Sequence, residues 1–273
     1  MPILELPDAT LHVDDAGDGP ALVLLHGFTG TAADWSVLFD LPALRRAFRV
    51  IAIDQRGHGR STARWPITYA ACARDVLAVL DHLGIARCAA IGQSLGAKTL
   101  LHLATLAPDR VDAMILAGAA PRVPDATRAL MAQIANAPLE AATRDALATR
   151  HRADQLDAMW RQPATFAADR TDLAFTAADL AAITARTLIV HGDRDELYPV
   201  ELAVELYRAI PRASLWVIPD AGHDAIFTAA RDGFAARATA FLFDRSAPSR
   251  TTVPISSKRE APLAEPPNLR RLS

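Results

Sequence analysis

The pentapeptide Gly92-Gln93-Ser94-Leu95-Gly96 sets a hydroxyl between two glycines. The apolar run Cys88–Ile91 precedes it, and the helix-forming stretch Ala97 to Leu106 follows. This is the setting of a nucleophile elbow, in which a strand turns sharply into a helix and leaves its serine strained at the tip. Side chains at positions 92 and 96 would collide with neighbouring backbone, so both positions require glycine. The helix N-terminus beside the serine offers free N–H groups and a positive dipole end to developing negative charge. Ser94 is therefore the candidate nucleophile for acyl transfer, and the backbone N–H of Leu95 is a candidate donor to an oxyanion.

A hydroxyl is a weak nucleophile at neutral pH. It needs a base, and the base needs an acid to orient it. If the order along the chain is Ser, acid, His, both lie after residue 94. The apolar run Thr187–Val190 leads into His191-Gly192-Asp193-Arg194-Asp195, and Ser214–Ile218 into Pro219-Asp220-Ala221-Gly222-His223. Each group lies just past the C-terminal end of an expected parallel strand. Active sites of open α/β sheets assemble at that edge.

The elements that must position these residues can be read from the apolar runs. Ala21–Leu25, Val50–Ile53, Cys88–Ile91, Ala113–Leu116, Thr187–Val190 and Ser214–Ile218 are nearly continuous rather than alternating. Such runs fit strands buried on both faces of a parallel sheet. Helical stretches separate most of them. In one, Tyr69, Cys72, Ala73, Val76, Leu80 and Leu83 share a face, and Gly84 follows as a C-terminal cap. The alternation predicts a doubly wound α/β fold. Ile3–Leu6 and Leu11–Asp14 read as a small antiparallel start. Residues 1–120 and 183–244 form the expected core domain, and residues 121–182 a helical cap inserted between two strands. The large side chains of that insertion, Met131, Met159, Trp160, Phe166 and Phe175, are expected both to pack it down and to line a substrate pocket. Residues 245–273 hold five prolines, no aromatic residue, and six basic against two acidic side chains, which predicts a disordered tail.

Taken together, these motifs resemble the α/β-hydrolase superfamily over roughly residues 10 to 244. Five markers agree in order and spacing: His26-Gly27-Phe28, Asp54-Gln55-Arg56-Gly57-His58-Gly59-Arg60-Ser61, the Ser94 elbow, Gly192-Asp193-Arg194-Asp195, and Gly222-His223. The resemblance implies an α/β-hydrolase fold, Ser94 as nucleophile and His223 as general base. It selects Asp195 as the acid, three residues after the strand-terminal glycine, with Asp193 as runner-up and Asp125 as a remote third. It also implies the N–H of Phe28 as the second oxyanion donor. His26, His58 and His191 are expected to hold loops rather than to react.

Composition narrows the rest. The chain has 273 residues, about half of them apolar, and a net charge of −2. That size supports one large core, and the charge gives no global pull toward nucleic acid or anionic membranes. Cys72 and Cys88 lack CxxC spacing and read as small buried side chains. No signal peptide or membrane span is visible, so the default expectation is a cytoplasmic protein. No metal motif, GxGxxG or Walker sequence is present, so no metal or nucleotide cofactor is implied. The expected activity is a serine hydrolase on a small carboxylic ester, lactone or thioester. The alternatives are cleavage of a C–C diketone, a cofactor-free perhydrolase or haloperoxidase, a carrier-linked thioesterase, and a ligand receptor with a slow triad.

Overall fold

The computed structural model describes residues 3–244; the tail expected over 245–273 lies outside the described residues. Eight strands form one sheet: β1 (Ile3–Leu6), β2 (Ala9–Ala16), β3 (Ala21–Leu25), β4 (Arg49–Asp54), β5 (Cys88–Gln93), β6 (Val111–Ala117), β7 (Arg186–Gly192) and β8 (Ala213–Ile218). Their order is β1-β2-β4-β3-β5-β6-β7-β8. β1 and β2 are antiparallel to their neighbours, and every pairing from β4 to β8 is parallel. The helices are α1 (Trp35–Leu38), α2 (Leu41–Ala47), α3 (Tyr69–His82), α4 (Leu95–Leu106), α5 (Asp125–Asn136), α6 (Ala141–Ala148), α7 (Leu156–Ala168), α8 (Ala177–Ala181), α9 (Val200–Ala209) and α10 (Arg231–Phe243).

The sheet is covered on both faces, as its continuous apolar runs require. Along β3, Val23 and Leu25 join Val76 and Leu80 of α3 and Leu100 and Leu101 of α4 on one side. Leu22 and Leu24 join Trp35 and Leu38 of α1 and Phe234 and Leu242 of α10 on the other. α3 starts at Thr68, whose hydroxyl accepts from the Ala71 amide at 3.1 Å, and ends at Gly84, which takes a left-handed φ of 66°. Cys72 and Cys88 are free and buried.

After β3 the chain moves outward to β4 and then returns to lay β5 against β3 on its other side. This reversal opens a crevice at the C-terminal ends of β3 and β5. Two glycines let the backbone close there. A Cβ on Gly92 would lie 2.5 Å from backbone atoms of Gly96, and one on Gly96 would lie 2.1 Å from the Leu25 carbonyl oxygen.

The insertion between β6 and β7 carries α5 to α8 and no strand, apart from an isolated bridge between Arg122 and Ala174. α5 packs on α7. The Arg128 guanidinium fastens the pair, donating to the carbonyls of Phe166, Ala167 and Asp169 at the end of α7. The insertion is tied to the rest of the chain through buried polar side chains. Gln155 accepts from the Ala63 amide and donates to the Ser61 carbonyl, and Gln162 does the same to both backbone groups of Ile67. His151 accepts from the Gly59 amide at 2.8 Å, and Asp172 accepts from the amides of Tyr69 and Ala70 that open α3. No helix among the described residues is long and apolar enough to cross a membrane.

The close approach at Gly96 yields a stability test. Gly96→Ala should lower the unfolding free energy in urea by about 1–3 kcal/mol, since only a backbone shift makes room for the methyl. Gly233→Ala, in α10 where an added Cβ meets nothing within 4 Å, should raise it by roughly 0.5–1 kcal/mol.

Candidate active site

Ser94 sits between β5 and α4 with φ 48° and ψ −101°, a left-handed conformation that a non-glycine residue adopts only under constraint. The constraints are visible. Its amide donates to the Ala117 carbonyl at 2.8 Å, the Gly96 amide donates to the His26 carbonyl at 3.1 Å, and the Lys98 amide donates to the Ser94 carbonyl at 3.0 Å. β6 thus holds the serine from one side and the loop after β3 from the other.

His223, in the loop after β8, lies against Ser94, with Nε2 2.7 Å from Oγ. Its Nδ1 is 2.8 Å from Asp195 Oδ2. An ionised carboxylate only accepts hydrogen bonds. Nδ1 therefore carries the proton and donates to Asp195, which leaves the Nε2 lone pair to accept the Ser94 hydroxyl. The Asp195 side chain is fully buried, and its other oxygen accepts from the amides of Leu197 and Tyr198, both at 2.9 Å. Burial alone would raise its pKa. The hydrogen bond and charge of His223, together with those two amides, outweigh burial and hold it below the usual carboxylate value.

The other candidates fall elsewhere. Asp193 is exposed in the turn, where its amide donates to the Ile218 carbonyl at 3.1 Å. Asp125 is exposed in the first turn of α5 and pairs with Arg170 at 3.3 Å. His26 braces the loop after β3: Nδ1 donates to the Gly27 carbonyl at 2.7 Å and Nε2 accepts from the Gln55 amide at 2.9 Å. His58 Nδ1 lies 3.0 Å from the Arg56 carbonyl, and burial holds its pKa well below the usual value. His191 donates from Nε2 to the Tyr198 carbonyl at 2.8 Å, which shapes the loop carrying Asp195. In the same way Asp54 accepts from the amides of Ala32 and Arg60, while Arg56 forms a bidentate pair with Asp75 at 2.6 Å, so the segment from Asp54 to Ser61 is a structural knot.

Phe28 and Leu95 both line a cavity of about 270 Å³ that opens onto Ser94 and His223. Among the described residues, neither backbone N–H donates a hydrogen bond within the protein. Leu95 is the first residue of α4, where helical amides have no partner of their own. The Phe28 ring packs edge-on against His58 and Phe166. Met131, Met159, Trp160 and Phe166 of the insertion line the cavity, whereas Phe175 packs beside His102 outside it. Gln93 and Tyr198 also line it, and neither is distinguished by sequence pattern. Among the described residues no group of three or more His, Cys, Asp or Glu side chains could hold a metal ion.

The chain is similar to known proteins. A family model described as the alpha/beta hydrolase fold matches residues 20–161. The chain belongs to that family. The RutD protein of Variovorax paradoxus (strain S110), a carbamate hydrolase by name, is 34% identical over 239 residues, covering 78% of this chain and 89% of that protein. The dihydrolipoyllysine-residue acetyltransferase component of the acetoin cleaving system of Pseudomonas putida is 34% identical over 232 residues, 75% of this chain; the chain spans 59% of that relative's length. Among solved structures, the enol-lactonase of Burkholderia xenovorans LB400 superposes with a TM-score of 0.74 at 25% identity, covering 89% of this chain and all of that one.

The backbone at residue 94 makes a prediction that is independent of activity. Ser94→Gly and Ser94→Ala both lose the hydroxyl, but only glycine relieves the left-handed φ. Ser94→Gly should be the more stable of the two by on the order of 1 kcal/mol in urea unfolding, after allowing for glycine's greater chain entropy.

Proposed function

We propose that the protein is a serine hydrolase that cleaves a small carboxylic ester, lactone or thioester through an acyl-enzyme on Ser94. The observation that carries this reading is the continuous pair of hydrogen bonds from Ser94 Oγ to His223 and from His223 to Asp195, 2.7 and 2.8 Å long.

In the first step Ser94 Oγ attacks the carbonyl carbon while His223 Nε2 takes the hydroxyl proton. Asp195, buried and below the usual carboxylate pKa, stays ionised and stabilises the imidazolium that forms. The negative charge moves to the carbonyl oxygen, where the N–H groups of Phe28 and Leu95 would receive it; each such donor typically contributes about 2.7–4 kcal/mol to lowering the barrier. Phe28 acts here through its backbone, so its ring is free to shape the pocket. The C–O or C–S bond then breaks as His223 returns its proton to the leaving group. Water, deprotonated by the same nitrogen, releases the acid and restores Ser94. The apolar insertion side chains over the cavity limit water, which strengthens each of these electrostatic interactions. The curated and solved relatives support ester-type bonds, since one is an enol-lactonase and another a carbamate hydrolase by name.

A fluorophosphonate probe should label the protein covalently, and Ser94→Ala should abolish both labelling and hydrolysis of p-nitrophenyl esters. Undiminished labelling of Ser94→Ala would contradict the assignment. Asp195→Asn should lower kcat by on the order of 10⁴, because the amide favours the wrong histidine tautomer, while Asp193→Asn should stay within a few-fold of wild type.

A further inference from the structure

The cavity contains a cation that the hydrolytic steps leave unused. Lys98 lies one helical turn beyond Ser94 in α4, on the cavity wall, and is 1% exposed. A lysine so deeply buried ordinarily sits on a carboxylate. Among the described residues no carboxylate is in ion-pair contact with Lys98: Asp195, the one acid that favours its charged form, is engaged by His223 and the Leu197 and Tyr198 amides. Nζ faces aromatic rings instead, 4.1 Å from the centroid of Tyr198 and 6.0 Å from that of Tyr69. A ring face stabilises an ammonium only partly, by about 2 kcal/mol when desolvated.

Beside it stands a second unsatisfied group. Tyr198 is 1% exposed and lines the same cavity; its Oη lies beside the Tyr69 hydroxyl, and among the described residues no group accepts its proton within hydrogen-bond geometry. Much of the remaining lining is apolar, with Leu95, Met131, Met159, Pro163 and Phe166 offering no strong acceptor, while Asp224 accepts from Gln93 Nε2 at 2.9 Å. Two buried donors left open by the protein, one of them cationic, are the complement of an anionic oxygen. Lys98 is one helical turn from Ser94 and 1% exposed, so a substrate group that reaches it is surrounded by protein, which suits the part that stays bound through the acyl-enzyme.

We propose that Lys98 and Tyr198 form a subsite for a carboxylate on the acyl half of the substrate, so that the protein prefers esters or lactones of short dicarboxylic acids to their uncharged counterparts. The inference rests on the serine-hydrolase reading above. A cavity of about 270 Å³ suits short acyl chains, being at the small end of ligand sites. Burial lowers the Lys98 pKa to about 7, so a bound carboxylate supplies the counter-charge the site lacks. The titratable groups that surround Lys98 or share its cavity are Tyr69 from α3, His191, Asp195 and Tyr198 from β7 and its loop, and His223 and Asp224 after β8. Both phenols are pushed up and His191 is pushed down by burial, so these three stay neutral near pH 7, while Asp195 stays ionised.

The test compares monomethyl glutarate with its uncharged monoamide, methyl glutaramate, by methanol release. The readout is the ratio of their kcat/KM values, in which the state of His223 and any general loss of activity cancel. Wild type should favour the anion at least tenfold at pH 6.5, as expected for a hydrogen bond to a charged group. The ammonium form exists below the pKa of the free enzyme, so the ratio should fall as pH rises through about 7. In Lys98→Met the ratio should be near one and independent of pH, and in Tyr198→Phe it should be reduced. A wild-type ratio of one, or a ratio retained in Lys98→Met, overturns the subsite. Calorimetry on Ser94→Ala separates this from the nucleophile assignment: monomethyl glutarate should bind at least tenfold more weakly when Lys98→Met is added. Equal affinity contradicts the subsite. A tenfold loss without wild-type turnover of either ester upholds the subsite and rejects the serine mechanism.

Discussion

Leu25 and Gly96 meet where no side chain could fit, and that contact sets the geometry of the whole site. A Cβ on Gly96 would lie 2.1 Å from the Leu25 carbonyl oxygen. Because α4 can start so close to the end of β3, the Gly96 amide reaches the His26 carbonyl. The turn before it then has little choice, and Ser94 is held in a left-handed conformation with its hydroxyl beside His223. The same approach brings the loop carrying Phe28 next to the first amides of α4. One backbone contact thus couples Ser94, the helix N-terminus and the neighbouring loop.

The second half of the site depends on β7 and β8. Their parallel pairing runs to Gly192 and Ile218, so the loops that follow leave the sheet side by side. Asp195 is turned inward by the amides of Leu197 and Tyr198 and by His191, which fixes the carbonyl of Tyr198. These bonds offset the cost of burying a carboxylate, and the histidine completes the compensation. Asp193, two residues earlier, lies on the outside of the same turn. The difference between the two acids is one of orientation, which spacing alone does not specify.

Much of this could be read from residues. Strands buried on both faces appear as unbroken apolar runs, so all six parallel strands were located. Their ends extend further, because Arg49, Asp54, Gln93 and Arg186 are polar residues that still pair in the sheet. Ser94, Asp195 and His223 stand next to strand ends and can be ordered along the chain; the structure brings His223 within hydrogen-bond distance of both Ser94 and Asp195. The docking of the insertion was not legible. His151, Gln155, Gln162 and Asp172 bond to backbone groups about a hundred residues earlier, and such contacts leave no local periodicity. Lys98 was equally silent, since its spacing suits any helix face, and only the cavity reveals that it is buried without a counter-ion. Tyr198 follows the acid loop with no pattern of its own.

The central claim is that Ser94 Oγ becomes covalently acylated during turnover. The most direct measurement is rapid acid quench during hydrolysis of an activated ester, followed by peptide mapping by mass spectrometry. The account predicts the acyl mass on the peptide containing Ser94, formed and lost at rates that match turnover. Acyl mass on another residue, or turnover without any acylated peptide, would contradict it.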